Sequence, residues 1–244
     1  MSRLIVFLLA AHSFNLAAAA SAQESKQLEK IDKSAAKAHR RYDSFSDKTL
    51  LKWKPVREDR DHWSLESHSG ELTITTQRGT IHGDEKNDDF SGSRQAKNLF
   101  VIDSPNMGKG DFVLSTCLID FQPTTHWQQA GLLLYNDDDN YVKFIFEYNG
   151  SAKVTTVLTE VEQKSNILPN AAPKDTSRVF LRIVRKEGEY KAQVSNDGME
   201  YQTVQEFEWD VEGPSKVGLI AKNGGNPEAG EIEARFDFFE LTWK

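Results

Sequence analysis

From Tyr42 onward, apolar positions recur in short runs and not at helical spacing. The runs "WSLESHSGELTITTQ", "KNLFVIDS", "GDFVLSTCLIDFQP", "AGLLLYNDDDNYVKFIFEYNG", "KVTTVLTEVEQ", "RVFLRIVRKEGEYKAQVSNDG", "SKVGLIAKN" and "ARFDFFELTW" are rich in Val, Ile, Leu, Phe, Thr and Tyr. Gly, Pro, Asn and Asp separate them. β-Branched and aromatic residues suit a pleated strand and the separating residues suit turns, so the pattern predicts many strands and no long amphipathic helix between them. An antiparallel all-β sandwich accommodates it. Nothing repeats closely enough for a propeller.

The hairpin-like stretch "WQQAGLLLYNDDDNYVKFIFEYNG", Trp127 to Gly150, shows the alternation most plainly. Side chains alternate across a strand, which groups Gln128, Ala130, Leu132 and Leu134 against Gln129, Gly131, Leu133 and Tyr135. On the return strand Val142, Phe144, Phe146 and Tyr148 oppose Tyr141, Lys143, Ile145 and Glu147. The aspartates between the strands admit a second reading. Asn136, Asp138, Asn140 and Glu147 stand at the first, third, fifth and twelfth positions of a calcium-loop pattern. The sixth position of that pattern needs glycine for a sharp turn and here is Tyr141, and a strand follows where a helix is required. The aspartates are therefore read as a hairpin tip, held by side-chain to backbone hydrogen bonds.

The faces turned away from the core carry the candidate chemistry. In "RVFLRIVR", Val179, Leu181 and Ile183 share a face opposite Arg182, and in "YKAQVSNDG" Gln193 lies opposite Ala192 and Val194. One sheet is accordingly expected to bear Gln129, Tyr135, Lys143, Glu147, Arg182 and Gln193 on its polar face. Rings beside fixed amides and charges suit sugars, whose hydroxyls need directional partners and whose C–H faces stack on aromatics. An ordinary solvated sheet face with cross-strand ion pairs is the competing reading. Trp127, beside His126 just before the hairpin, is the tryptophan expected at a groove edge. Trp63 and Trp243 are expected in core or rim packing.

At the N-terminus, "MSRLIVFLLAAHSFNLAAAASAQ" places Arg3 ahead of an apolar run and a small-residue cleavage pattern at Ala20-Ser21-Ala22. Residues 1–22 are therefore expected to be a signal peptide, cleaved near Ala22, with a secreted or periplasmic product. Residues 23–41 are polar and charged, a linker or a short helix, and the sandwich domain spans 42–244. The net charge is −7 and becomes one unit more negative without Arg3, which disfavours nucleic-acid partners. No later segment is long and apolar enough for membrane insertion.

A single cysteine, Cys117, excludes an intramolecular disulfide and any cysteine-based zinc site; its place in "FVLSTCLIDF" marks a buried, inert thiol. The histidines at 12, 39, 62, 68, 82 and 126 show no metal-ligand spacing. No nucleophile elbow or phosphate-cradling glycine loop is present, and "NGGNPEAG" reads as a flexible loop.

Residues from about Phe45 to Lys244, above all "QQAGLLLYNDDDNYVKF", "LRIVR" and "SNDGMEY", resemble the concanavalin A-like domain at the C-terminus of β-xylosidases. The resemblance implies a two-sheet antiparallel jelly-roll sandwich with a concave face and a carbohydrate-associated role. In β-xylosidases the domain accompanies a catalytic propeller, which this chain does not contain. Related sandwich glucanases carry an E-x-D-x-x-E or E-x-D-x-x-x-E strand motif, from which "EVEQKS", "EFEWDVE" and "EIEARFDFFE" all depart; a spatial pairing of Glu147 with Glu231 or Glu233 is left open. In those glucanases an aspartate of the last strand helps hold a structural calcium, a role that would fall to Asp237, with a solvated strand residue as the alternative. No other cofactor is implied.

Binding of carbohydrate without catalysis is thus the leading expectation. The alternatives are a glycoside hydrolase with an unrecognised carboxylate pair and a cell-envelope module that binds a protein partner.

Overall fold

A computed structural model describes residues 38–46, 48–83, 95–105, 110–170 and 173–244. Ala38 and His39 end one unit, Met1–His39; the other described residues belong to a second, Arg40–Lys244. The expected signal peptide and most of the expected linker lie outside the described residues.

Two sheets are built from these strands. The first has eight strands, in the order β12 (Gln202–Phe207), β11 (Glu189–Ser195), β10 (Arg178–Lys186), β5 (Phe112–Ile119), β14 (Glu233–Trp243), β3 (Leu72–Thr75) and β2 (Trp63–Ser64), with β1 (His39–Asp43) also paired to β14. The second has six, in the order β4 (Phe100–Asp103), β13 (Lys216–Lys222), β6 (Gln129–Asp137), β7 (Asn140–Tyr148), β8 (Lys153–Val161) and β9 (Lys164–Asn170). Pairing along both orders is antiparallel. The result is the antiparallel all-β sandwich expected from the alternation, in the two-sheet jelly-roll form that the resemblance implies.

The core lies where the alternating faces meet. Leu114 and Leu118 of β5, Leu181 and Ile183 of β10, and Phe236, Phe239 and Leu241 of β14 pack against Leu132 and Leu134 of β6, Val142, Phe144 and Phe146 of β7, and Leu219 of β13. Each fully buried side chain of this kind contributes about 1.5–3 kcal/mol relative to exposure. Trp63 and Trp243 are half-buried against this core. Cys117 sits in a small cluster with Ile119 and Phe180, and burial pushes its thiol up to about 12.

One buried carboxylate ties the start of the sandwich to its core. Asp43 is fully buried and accepts from the backbone N–H groups of Phe45, Leu50 and Leu51 and from Trp53 Nε1, at 2.9–3.1 Å. The indole so fixed lies edge-on to Phe239, with ring centroids 4.9 Å apart. A charged side chain is tolerated at that depth because these donors replace its water.

The aspartate run forms the turn between β6 and β7, where Asp137 pairs with Asn140. Asp137 Oδ1 accepts from Asp139 N and from Asn140 Nδ2, both at 2.9 Å, which closes the turn. Asp138 points the other way. Its two oxygens take the Arg57 guanidinium at 2.7 and 3.0 Å, and Oδ1 also accepts the Tyr135 hydroxyl at 2.9 Å. The tip is thus bound to the segment preceding β2.

The outer face of the six-stranded sheet departs from expectation. Alternation leads to a wet face, yet a second apolar cluster forms there from Val101, Leu133, Tyr135, Tyr141, Ile145, Leu158 and Ile220, joined by Ile81, Ala96 and Leu99. Segments outside the sheet cross this face: Val56 bridges Leu99, and Gly79 bridges Gly224. Polar side chains that alternation assigns to solvent are therefore buried, and a pocket remains at one end.

Candidate functional site

Strand register builds the floor of that pocket. Gln129 of β6 pairs with Glu147 of β7 on one side and with Lys222 of β13 on the other, so the three polar residues form a row across neighbouring strands. Lys143 lies two positions further along the same face of β7, opposite Leu133 and Leu158. All four polar side chains are at least nine-tenths buried.

Hydrogen bonds fix three of the four. Gln129 Nε2 donates to Glu147 Oε2 at 2.5 Å, and Gln129 Oε1 accepts from Lys143 Nζ at 2.8 Å. The amide thus bridges a carboxylate and an ammonium group, and its orientation is set by both. Lys222 Nζ makes no hydrogen bond and no ion pair with any described residue. Burial lowers Lys143 to about 8, against the opposing pull of Glu147 and Glu160. Burial lowers Lys222 well below the usual lysine value, and the neighbouring Lys143 charge lowers it further, while Glu147 acts in the opposite sense.

The pocket above this row has a volume of about 330 Å³. Trp127, Tyr141, His82 and Ile167 supply ring and aliphatic surface, and Thr156 also lines it. The Tyr141 hydroxyl meets His82 Nδ1 at 3.1 Å, and burial pushes the phenol well above its ordinary value. Thr156 Oγ1 is buried and lacks a hydrogen-bond partner.

The rim depends on one glycine. Gly224 has φ +60°, in the left-handed region that suits glycine, and a Cβ there would stand 2.8 Å from Trp127 Cβ. Trp127 also has positive φ, 69°, and its ring lies against His126 with centroids 4.2 Å apart. Its backbone N–H donates to Tyr148 O at 3.0 Å. The stretch read from sequence as a flexible loop thus begins with the turn, Gly224–Gly225, that walls the pocket beside Trp127.

Of the residues singled out from sequence, Gln129, Lys143, Glu147 and Trp127 come together here. Tyr135 shares their sheet face but not the pocket, its hydroxyl being bound to Asp138. Arg182 and Gln193 do not share that sheet. They belong to β10 and β11 of the eight-stranded sheet, where they pair with each other. The Arg182 guanidinium lies over the Tyr201 ring, 3.3 Å from its centroid, and Gln193 Nε2 donates to Thr203 Oγ1 at 3.1 Å.

Glu147 is not joined by Glu231 or Glu233. Glu233 stands on the eight-stranded sheet, 3.0 Å from His68 Nε2, and Glu231 lies 3.5 Å from His62 Nε2. Asp237 accepts from Arg178 Nη2 at 2.5 Å. Among the described residues no group of three or more His, Cys, Asp or Glu side chains is arranged to hold a metal ion, and no helix is long and apolar enough to cross a membrane.

Lys222, Thr156, His82 and Tyr141 are among the lining residues that sequence reasoning left out of the site. The signal for Lys222 was present: in "SKVGLIAKN", Val217, Leu219 and Ala221 face the core, which puts Lys222 on the face of Gln129. His82 and the glycine turn carry no such periodic signal, since they reach the pocket from outside the sheet.

Comparisons with known proteins agree with the fold. A GH43 protein of Bacillus licheniformis, BlXynB, solved as a single-substitution variant, superposes with a TM-score of 0.70 at 23% identity, over 83% of this chain and 39% of that one. A xylan β-1,4-xylosidase of Bacillus halodurans gives 0.64 at 17% identity, over 82% and 38%. The chain therefore spans well under half the length of these glycoside hydrolases. A functionally unknown protein of Saccharomyces cerevisiae is similar over most of both chains, 79% and 94%, with a TM-score of 0.57 and 16% identity. No curated protein matches the sequence. Residues 60–244 match the family described as "Protein of unknown function (DUF1349)", and the chain belongs to that family.

Proposed function

We propose that this protein binds a carbohydrate in the pocket beneath Trp127 and does so without cleaving it. The observation that carries the reading is the buried Lys222–Gln129–Glu147 row with Lys143, roofed by an aromatic edge. Fixed donors and acceptors beside a ring match a sugar's hydroxyls and C–H face, and the pocket is within the range of about 300–1,000 Å³ common to small-ligand sites. The likeness to glycoside hydrolases over part of their length supports a carbohydrate-associated role.

The reading as a binding protein rests on the carboxylates. Glycoside hydrolysis requires two, about 5–10 Å apart across the scissile bond. Glu147 is the one carboxylate among the described lining residues, and it is already engaged by Gln129. The export expected from residues 1–22 would place the pocket among extracytoplasmic polysaccharides.

Titration calorimetry against a panel of soluble oligosaccharides, with released reducing sugar assayed in parallel, tests both halves. Saturable binding without release is expected. Release of sugar that is lost in Glu147→Gln would overturn the non-catalytic half, and the absence of any binding would overturn the carbohydrate reading.

A further inference from the structure

The pocket is lined by more amines than carboxylates. Lys143 and Lys222 line it, against Glu147 alone among the described lining residues. Gln129 already joins Lys143 to Glu147, so that pair is internally matched. Lys222 is left over, 3% exposed and with no hydrogen-bond or ion-pair partner among the described residues. A buried ammonium group without a hydrogen-bonded partner is costly, so such a group gives up its proton or is completed by a counter-charge.

We propose that Lys222 is the anchor for an anionic group on the ligand, so that the pocket selects acidic sugars, uronates or sulfate esters, over neutral ones. This rests on the carbohydrate reading and narrows it. The anion would sit at the β13 end of the row, beside Lys222 Nζ, while the sugar ring extends toward Trp127 and Thr156. Thr156 Oγ1, buried without a hydrogen-bond partner, is a second group that such a ligand would satisfy.

The charges facing Lys222 explain how the site tolerates being empty. Burial and, from β7, the Lys143 charge both disfavour its protonation, while Glu147 of the same strand acts in the opposite sense. Glu160 of β8 acts on Lys143 rather than on Lys222. An arriving anion stabilises the protonated amine, so binding takes up a proton when the free amine is neutral. The overall negative charge of the chain opposes long-range attraction of polyanions, which makes the preference local, one anionic group at one amine.

The test compares matched ligands on the unmodified protein: a neutral xylo-oligosaccharide, the same oligosaccharide bearing one glucuronate, an oligogalacturonide and a singly sulfated galactan oligosaccharide. At least one acidic ligand is expected to bind ten-fold or more tightly than the neutral one, and the arm that does so separates carboxylate from sulfate recognition. Lys222→Met is expected to erase that preference, bringing the affinities for acidic and neutral ligands within two-fold of each other. Equal affinity for neutral and acidic ligands would overturn the anion site and leave the carbohydrate reading standing. The same holds for a preference that survives in a folded Lys222→Met. Failure of every oligosaccharide to bind would overturn both. Should Lys222→Met not fold, the comparison on the unmodified protein decides.

Discussion

Gln129 and Glu147 face each other across β6 and β7, and the amide of the first donates to the carboxylate of the second at 2.5 Å. Because the other end of the same amide holds Lys143 at 2.8 Å, one neutral side chain organises two buried charges. That arrangement links the register of a hairpin to the floor of a pocket.

Replacing the bridge should be costly. Gln129→Leu keeps the volume but leaves Lys143 and Glu147 without the amide, and hydrogen bonds to charged groups contribute about 1.5–3 kcal/mol each. A loss of about 2–3 kcal/mol in urea unfolding is expected, together with loss of oligosaccharide binding. Unchanged stability would mean that the two charges pair directly and that the amide is dispensable.

The buried lysines should make stability rise with pH over a defined window. Folded Lys143 releases its proton at about 8, against 10.5 ordinarily. Between those values the unfolded chain binds more protons than the folded one, so raising the pH favours folding; below about 8 both states are protonated and the burial penalty stands in full. From about pH 8 to about pH 9.5 the gain from Lys143 is about 1–2 kcal/mol. Lys222 is lowered in the same direction and adds to the trend. Above the ordinary tyrosine value of 10.0 the raised phenols of Tyr135 and Tyr141 reverse the trend, because the unfolded chain then loses its phenolic protons first. Urea midpoints measured across this range should climb in the unmodified protein and climb less in Lys143→Met.

Trp127 and Gly224 should separate binding from stability. Trp127 is half-buried at the rim and lies outside the sandwich core. Trp127→Ala is therefore expected to weaken glycan binding ten-fold or more while moving stability by under about 1 kcal/mol. Gly224→Val places a branched side chain where a Cβ alone would approach Trp127 Cβ to 2.8 Å, at a φ of +60°. It should weaken binding by displacing the indole and also lower stability by about 1–3 kcal/mol through backbone strain. Equal binding losses without any change in the tryptophan fluorescence of the Gly224 variant would contradict the rim geometry.

Two aspartates should prove structural. Asp43→Ala orphans three backbone N–H groups and an indole N–H, and a loss of about 3–5 kcal/mol is expected from such a buried network. Asp138→Ala removes the two-pronged contact to Arg57 and the Tyr135 partner, for an expected loss of about 1–3 kcal/mol. Thermal unfolding of both variants checks this, and neither should change oligosaccharide affinity by more than two-fold while folded.

Alternation made the sandwich legible. Ala130, Leu132, Leu134, Val142, Phe144 and Phe146 fall in the core as their spacing requires, and so do Val179, Leu181 and Ile183. The same period put Gln129, Lys143 and Glu147 on one face, because neighbouring strands of a hairpin share a local register. Arg182 fails for a physical reason. Its strand pairs with β5, where Arg182 stands opposite Ser115, far earlier in the chain, and a period of two reports which residues share a face but not which sheet holds the strand. Burial of the polar face was equally hidden, since Ile81 and Gly79 reach it from a segment with no strand periodicity of its own. The aspartates form the hairpin tip that the sequence predicts: turn geometry accounts for Asp137, and an ion pair to Arg57 holds Asp138.

Amide chemical-shift mapping during an oligosaccharide titration tests the central claim most directly, because it locates the ligand as well as detecting it. Shifts are predicted at the Trp127 indole, the Gln129 side-chain amide and the backbone of Lys222 to Gly225. Saturable binding with shifts confined to Arg182, Gln193 and Tyr201 on the other sheet, or no binding at all, would contradict the account.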